Sequence, residues 1–395
     1  MEFVDLQAQY RHIGARVDAR VRRVMEHQRF ILGPEGGELE EQLAVRVGAR
    51  YCVSCASGTD ALLLALLALE IGHSHISNAG HGASESAGDL DEVITTPFTF
   101  FATGEMITLA GAQPVFVDIE PVGYNLDPEK IEAAITPRTR AILPVSLYGQ
   151  PAEMDAINYI AQQHGLAVIE DAAQSFGAIY KGKHSGNLST IGCTSFFPSK
   201  PLGCYGDGGA CFTNDDALAR AMRELRNHGQ SGRYRHTRIG INGRLDTLQA
   251  AVLLAKLEFF DEELAARAEI ADRYTALLRG AVRTPRLLPE RTSAWAQYTI
   301  EVEDREGVEA AMQDAGIPTA VHYPTPLHLQ PVYAELAQRM GWSRGSFPVA
   351  ERAAERVLSL PMHPYLEAAP MERIAEEIKK AVRGPVGAGA AHLSR

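Results

Sequence analysis

The chain has 395 residues, of which 46% are hydrophobic and 22% are charged, a composition typical of a globular protein with more than one core. Its formal net charge of -11 argues against a nucleic-acid-binding protein, which would need a broad basic surface. The longest apolar run, residues 61–72, is too short to span a bilayer, and the first residues are charged without an apolar signal region. We therefore expect a cytoplasmic protein that makes no membrane contact.

The five cysteines are odd in number, which argues against a disulfide framework. Cys52 and Cys55 have a C-x-x-C spacing, but they lie in a segment typical of a β-strand, where residues three apart face opposite sides. We expect them to be buried small residues rather than zinc ligands or a redox pair, and we predict no metal site.

Between about residue 40 and residue 215, short apolar or β-branched runs alternate with helical patterns. The strand candidates are 50–55, 92–97, 113–119, 140–147, 166–172, 194–198 and 208–213. This alternation predicts an α/β fold with a mostly parallel seven-stranded sheet covered by helices. Ligands bind such sheets at the carboxyl ends of the strands.

After about residue 245 the pattern changes. Residues 244–280 predict one long, bent helix, and a smaller unit follows with a strand at 296–302 and helices at 305–316 and 371–382.

These patterns predict two domains. We expect a large cofactor-binding domain over 1–250, a small C-terminal α/β domain over 251–385 and a flexible tail over 386–395, with the first ~30 residues packing toward the small domain. The segment 72–90, rich in glycine, serine and histidine, is expected to be a surface loop because its histidines have irregular spacing.

Lys200 lies in the segment "TSFFPSKPLGCYGDGGA", among prolines, aromatic residues and glycines. Only seven of the 38 basic residues are lysines, so the chain generally uses arginine for positive charge. A free lysine has a pKa of about 10.4, and burial can lower this pKa until the neutral, nucleophilic amine is populated. Arginine cannot take this role because its side chain stays protonated. We interpret Lys200 as a Schiff-base lysine; a lysine extended toward solvent is the alternative.

Two segments that follow strands offer groups for a bound ligand. Glu170 and Asp171 end an apolar strand, where an inward carboxylate would either cap a helix or bind a cationic ring nitrogen. Ser57, Gly58 and Thr59 lie between a strand and a helix, where they would cap the helix or bind a phosphate.

Two further segments carry aromatic and basic groups. Phe98, Phe100 and Phe101 follow a strand and would either pack in the core or stack on a planar ring. An arginine cluster in this acidic chain predicts an anionic ligand rather than a solvated loop. Its members are Arg226, Arg233, Arg235, Arg238 and Arg244, with His228 and His236 between them.

A Schiff-base lysine, an acid for a pyridine nitrogen, a phosphate site and a stacking aromatic residue together describe a site for pyridoxal 5′-phosphate (PLP). The segments that carry them, "SGTDAL", "PFTFFAT", "EDAAQSFGA", "SFFPSKPLG", "GDGGA", "GINGRLDTLQAA" and "VHYPTPLH", resemble the DegT/DnrJ/EryC/StrS sugar aminotransferases over roughly residues 3–370. The resemblance implies the aspartate aminotransferase fold, which is PLP fold type I.

The same resemblance implies a role for each matching residue. Lys200 would form the Schiff base with PLP and move the proton, and Asp171 would keep the pyridine nitrogen protonated. Gln174 would reach the ring hydroxyl, and Phe100 would stack on the ring. Gly58, Thr59 and Ser195 would bind the phosphate. Asn242 would reach the phosphate of the neighbouring subunit's cofactor, which implies a homodimer with shared sites.

The resemblance also indicates the substrate. Arg244, His322 and Tyr323 match positions near the sugar, and Arg244 is the candidate for binding a uronate carboxylate. The segments "VSLYGQ", "RLDTLQAA" and "PTAVHYP" are most similar to family members that aminate UDP-2-acetamido-2-deoxy-3-oxo-glucuronate for lipopolysaccharide O-antigen. The expected partners are therefore a UDP-keto-sugar and an amino donor, L-glutamate by analogy.

Several alternatives stay open. Some relatives that dehydrate sugars have histidine in place of the lysine, so Lys200 favours transamination over a PLP-dependent dehydratase. Amination of another 3- or 4-oxo sugar nucleotide is a further alternative. A nicotinamide-dependent oxidoreductase is disfavoured because no G-x-G-x-x-G follows a predicted strand, and a PLP-dependent regulator because no DNA-binding module is present.

Overall fold

The computed structural model describes residues 1–72 and 90–383. The predicted loop 72–90, apart from its two ends, and the predicted tail 386–395 lie outside the described residues. The helices are α1 (Leu6–His27), α2 (Pro34–Val47), α3 (Gly58–Ala68), α4 (Phe101–Leu109), α5 (Met154–His164), α6 (Asp216–Leu225), α7 (Thr247–Leu257), α8 (Phe260–Leu278), α9 (Arg305–Asp314), α10 (Ala334–Met340), α11 (Pro348–Arg356) and α12 (Ala368–Arg383).

The strands are β1 (Tyr51–Cys55), β2 (Glu92–Thr95), β3 (Gln113–Phe116), β4 (Thr139–Leu143), β5 (Ala167–Asp171), β6 (Ile179–Tyr180), β7 (Lys183–His184), β8 (Ile191–Ser195), β9 (Gly209–Thr213), β10 (Gln230–Gly232), β11 (Arg235–His236), β12 (Tyr298–Glu301) and β13 (Val357–Leu360). Across the part of the chain just defined, no helix is both long enough and apolar enough to traverse a membrane.

The main sheet has seven strands in the order β1-β9-β8-β5-β4-β2-β3. The pairs among β3, β2, β4, β5 and β8 are parallel, and β9 runs antiparallel to both β1 and β8. The predicted mostly parallel seven-stranded sheet is therefore confirmed.

The strand predicted at 194–198 is wrong in position, because β8 is Ile191–Ser195. The chain turns immediately after Ser195: Phe196 donates its N–H to Gly208 O and accepts from Cys204 N–H. Pro198 lacks an N–H for a ladder, so the aromatic residues beside it form the start of a loop rather than the end of a strand.

Apolar side chains cover the sheet on both faces. The almost entirely apolar α3 packs on one face together with Cys55, Cys193 and Cys211, while Cys52 and Phe212 belong to a separate cluster on the other face. Cys52 and Cys55 thus face opposite sides of β1, as the period of a strand requires. All five cysteines are buried and unpaired.

The single long helix predicted over 244–280 is wrong, because the segment forms two helices, α7 and α8, that are separated at Glu258 and Phe259. α8 then lies in a second core with β12, β13, α9 and α12, in which Tyr274, Tyr298 and Leu360 are fully buried. The N-terminal α1 packs on α7, and the carbonyl of Phe3 accepts a hydrogen bond from Met362 N–H beside the second core.

Candidate active site

A cavity of about 460 Å³ lies at the carboxyl ends of the parallel strands, within the usual size range of a cofactor site. It is lined by nine of the eleven residues that the sequence predicts for the site: Gly58, Thr59, Phe100, Asp171, Gln174, Ser195, Lys200, His322 and Tyr323. Most come from the segments that follow β1, β2, β5 and β8, and His322 and Tyr323 come from the C-terminal part of the chain.

The two carboxylates at the end of β5 separate because successive residues of a strand face opposite ways. Glu170 points away from the cavity and accepts hydrogen bonds from Ser185 Oγ at 2.6 Å, Gly186 N at 2.9 Å and Ser146 Oγ at 3.2 Å. Asp171 points into the cavity. The sequence left open which carboxylate faces inward, and the structure places Asp171 there.

Asp171 is held in place by two donors. Thr103 Oγ1 donates to Oδ2 at 3.0 Å and Ala173 N–H donates to Oδ1 at 3.2 Å. Burial raises the pKa of the Asp171 carboxyl, and these two hydrogen bonds and the charge of Lys200 oppose that rise. A hydroxyl has one hydrogen, so Thr103 must accept from Thr99 Oγ1 at 3.0 Å while it donates to Asp171.

Lys200 lies in a tight turn, where its N–H donates to Phe197 O at 2.9 Å. Burial lowers the pKa of the Lys200 amine, and the Asp171 carboxylate opposes this lowering. The lowered pKa makes the neutral, nucleophilic amine of Lys200 more accessible. The Asp171 carboxylate can hold a positive charge in the cavity.

The N-terminus of α3 forms a recess at the edge of the cavity. Ser57 caps the helix by accepting from Asp60 N–H at 3.0 Å, so the next backbone N–H groups and the helix dipole point toward the cavity. A Cβ on Gly58 would lie 2.5 Å from Ser195 Cβ, and one on Gly209 would lie 2.4 Å from Ser57 O. Glycine is therefore required at both positions for the strands and the helix to approach this closely.

Gln174 connects the large sheet to the C-terminal part of the site. Its Oε1 accepts from Tyr148 N–H at 2.6 Å and its Nε2 donates to Tyr323 Oη at 3.1 Å. The Tyr148 hydroxyl in turn donates to His322 O. These bonds fix His322 and Tyr323 opposite the strand ends.

The aromatic and imidazole groups at the cavity have distinct environments. The Phe100 side chain is 57% exposed, with its ring centroid 5.9 Å from that of Tyr323, so it is free to cover a planar ligand. Phe98 is fully buried in the core. Burial and the charge of Lys200 lower the pKa of His322 to about 4, so its imidazole is neutral at pH 7 and bonds Ser359 Oγ through Nδ1 at 2.9 Å.

Asn242 and Arg244 do not line this cavity. Asn242 is exposed and pairs through its backbone with Asn227, and Arg244 donates to Asn227 Oδ1 at 2.7 Å. The arginine cluster predicted as one anion site is wrong as a unit. Arg226 is buried and bonded to Glu40 and Ser54, and Arg238 pairs with Glu224, whereas Arg233 and Arg235 are exposed at the β10–β11 hairpin.

Three polar residues of the site were not predicted from the sequence. Thr103, near the start of α4, bonds Asp171 and is itself bonded by Thr99, and Gln297 reaches the cavity from the segment before β12. In the sequence, Thr103 stands out only as a polar residue on the buried side of the apolar α4. A threonine at such a position is equally typical of a side chain that bonds a backbone carbonyl of its own helix.

The donor set fits PLP. A carboxylate is positioned for a ring nitrogen, the glycine-lined helix N-terminus suits a phosphate, Phe100 can cover the ring, and Lys200 has a lowered pKa in the same cavity.

Comparisons with known proteins agree with this fit. Residues 11–379 match the model of the DegT/DnrJ/EryC1/StrS aminotransferase family. The chain is 54% identical over 375 residues to the UDP-2-acetamido-2-deoxy-3-oxo-D-glucuronate aminotransferase of Pseudomonas aeruginosa, covering 95% of this chain and 98% of that one.

Two solved structures have the same fold. The structure resembles S. venezuelae DesV in complex with a ketimine intermediate, with a TM-score of 0.89 at 40% identity over 96% of this chain and 97% of that one. It also resembles Bacillus subtilis NtdA with bound cofactor PMP, with a TM-score of 0.84 at 30% identity over 96% and 83% of the two chains. The expected fold type I, the transaminase activity and PLP as the cofactor are thereby confirmed, since the chain belongs to the DegT/DnrJ/EryC1/StrS aminotransferase family.

Proposed function

We propose that the chain moves an amino group from an amino acid, L-glutamate by analogy, to the 3-oxo group of UDP-2-acetamido-2-deoxy-3-oxo-glucuronate. The support is the 54% identity, over almost the full length of both chains, to the relative named for that substrate. Cytoplasmic location and a role in lipopolysaccharide O-antigen synthesis remain predictions of the sequence.

The observation that carries the proposal is the meeting of Lys200, Asp171 and the glycine-lined recess in one cavity. When bound, PLP supplies an electron sink for the carbon attached to the transferred nitrogen. In our proposal Asp171 holds a proton on the ring nitrogen, Gly58, Thr59 and Ser195 bind the phosphate, and Gln174 reaches the ring hydroxyl. The Nζ of Lys200, with its lowered pKa, would move a proton between the substrate carbon that bears the transferred nitrogen and the C4′ carbon of the cofactor.

The uronate carboxylate needs a cation, and among the described residues 1–72 and 90–383 the cavity lining provides none besides Lys200. His322 is neutral at pH 7 because its pKa is lowered to about 4. We therefore propose that His322 and Tyr323 bind neutral sugar groups. In this proposal Arg244 and Asn242, which lie on the same segment, enter the cavity of the other subunit of a homodimer. There Arg244 binds the carboxylate.

Subunit mixing tests the shared site. Lys200→Ala and Asn242→Ala homodimers should each have little activity, but a mixed dimer would carry one doubly altered site and one intact site. Random exchange of equal amounts makes half of the dimers mixed, so about a quarter of the wild-type activity should return. If no activity returns although subunit exchange is demonstrated, the sites are not shared.

The substrate assignment is tested by kcat/KM for 3-oxo and 4-oxo UDP-sugars that carry or lack the C6 carboxylate. We expect the 3-oxo uronate to be preferred, and Arg244→Met to remove most of the preference for the carboxylate while Lys183→Met, at an exposed lysine, leaves it unchanged. Release of dehydrated sugar instead of amino sugar would favour the dehydratase alternative.

A further inference from the structure

We propose that Gln297 determines sugar specificity: its side-chain oxygen accepts a hydrogen bond from a donor group on the ring of the amino-accepting sugar nucleotide. This inference rests on the proposed function, because it names a contact of that substrate. It starts from an unsatisfied atom. Gln297 Oε1 is fully buried, and it accepts no hydrogen bond within residues 1–72 and 90–383.

The side chain borders the active-site cavity, whose other lining residues from the C-terminal part of the chain are His322 and Tyr323. A buried carbonyl oxygen without a donor costs about as much as a lost hydrogen bond, so natural sequences keep one mainly where a ligand or a water supplies the donor. An acceptor at this place suits an N–H or O–H on the sugar ring.

The position of Gln297 is fixed by its backbone. Its N–H donates to Tyr148 O at 3.5 Å, and Ala294 N–H donates to Gly149 O at 2.9 Å. Gly149 has φ +114, and a Cβ there would lie 2.5 Å from Trp295 N, so the two segments are in close contact. Tyr148 also bonds Gln174 and His322, and this network places Gln297 in a defined position relative to the residues facing the sugar.

A trapped water is the competing donor. Gln297 also borders a second cavity of about 30 Å³, which is large enough for one water. A buried water needs two to four polar partners, and several polar side chains around this cavity already bond elsewhere, whereas Ser293 Oγ accepts from Trp295 N–H and keeps its own hydrogen. Gln150 bonds Arg286 O and Leu288 N, Tyr148 donates to His322 O, and Thr299 bonds Ser359. We assign the donor to the sugar because Gln297 also borders the active-site cavity beside His322 and Tyr323, and the test separates the sugar from a water.

The test measures binding of UDP-N-acetylglucosamine to the PLP-loaded protein by calorimetry. Gln297→Met, which keeps the length of the side chain and removes the acceptor, should raise Kd about tenfold, the effect of one lost hydrogen bond. Gln297→Glu keeps an acceptor and should change Kd less. Gln338→Met, at an exposed glutamine, should leave Kd unchanged. The visible spectrum of bound PLP should be the same in every variant.

Two further probes identify the donor: the same UDP-sugar with hydrogen in place of the C2 acetamido group, and with hydrogen in place of the C4 hydroxyl. The probe that lacks the donor should bind wild type and Gln297→Met equally. An unchanged Kd with a lowered Tm in Gln297→Met would overturn the inference in favour of a water, and equal weakening with every probe would also overturn it. If wild type binds none of the UDP-sugars, the proposed function itself fails.

Discussion

Replacing Thr103 by valine should weaken the support of Asp171 without disturbing the fold. Valine has nearly the same shape as threonine, and Thr103 is fully buried on α4, so the change removes the hydroxyl alone. The lost bonds are the 3.0 Å donation to Asp171 Oδ2 and the 3.0 Å bond accepted from Thr99 Oγ1, and only the first reaches the carboxylate. A hydrogen bond to a charged group contributes about 1.5–3 kcal/mol, and its loss raises the pKa of Asp171 because the ionised carboxylate loses a donor.

The sign of the effect on activity follows from that rise. A hydrogen bond from Thr103 stabilises the ionised carboxylate, so its loss leaves less ionised Asp171 at any given acidic pH. The acidic limb of the kcat profile should therefore move to higher pH, with kcat on that limb falling about tenfold to a hundredfold and kcat on the neutral plateau changing little.

Two matched variants separate this effect from a general disturbance of α4. Thr103→Ser keeps the hydroxyl and should restore the profile. Thr108→Val also removes a hydroxyl from α4, but this hydroxyl bonds Gly104 O and Tyr333 Oη and not the site. The kcat profile of Thr108→Val should therefore match that of wild type. The reasoning is refuted if the acidic limbs of Thr103→Val and Thr108→Val coincide.

Two other perturbations have defined outcomes. Gly58→Ala places a Cβ 2.5 Å from Ser195 Cβ and should weaken PLP binding more than tenfold in a dialysis titration. Gly36→Ala, whose Cβ would have nothing within 4 Å, should leave PLP binding unchanged. Equal affinities of the two variants for PLP would contradict a phosphate site at Gly58. Lys256 is 2% exposed beneath the Tyr205 ring, and burial lowers its pKa from 10.5 to about 8. The unfolded chain then binds more protons at Lys256 between those pH values, so the contribution of Lys256 to stability should rise with pH by up to about 3 kcal/mol. Urea unfolding of Lys256→Met should show a greater stability than wild type at pH 7, and this difference should shrink from pH 8 to 10.5; a constant difference would contradict the burial of a charged amine.

The fold was largely predictable because hydrophobic alternation depends on local sequence. Each strand of the main sheet lies at or beside a predicted run, and the error at β8 arose because Phe196 and Phe197 have strand propensity although Pro198 ends the ladder. The break between α7 and α8 has no sequence signal. The segment "KLEFFDEE" contains no glycine or proline, and Phe260 is fully buried, so packing rather than propensity determines where α8 begins.

The site was predictable where one motif carries one role and unpredictable where two distant segments meet. Lys200 and Asp171 stand in segments whose composition indicates their chemistry. Thr103 contacts Asp171 across 68 residues of sequence, and Gln297 reaches the cavity from the second core, and neither contact leaves a pattern in the chain. Burial also separates arginines that look alike in sequence: Arg226 is bonded inside the protein, whereas Arg233 is exposed.

Chemical trapping shows whether the Nζ of Lys200 bonds covalently to PLP. Purified protein with PLP is reduced with borohydride, digested and analysed by mass spectrometry. We expect one pyridoxyl group on the peptide that contains Lys200 and none in Lys200→Ala. A pyridoxyl group on a different lysine, or no label in a protein that has bound PLP, would contradict this expectation.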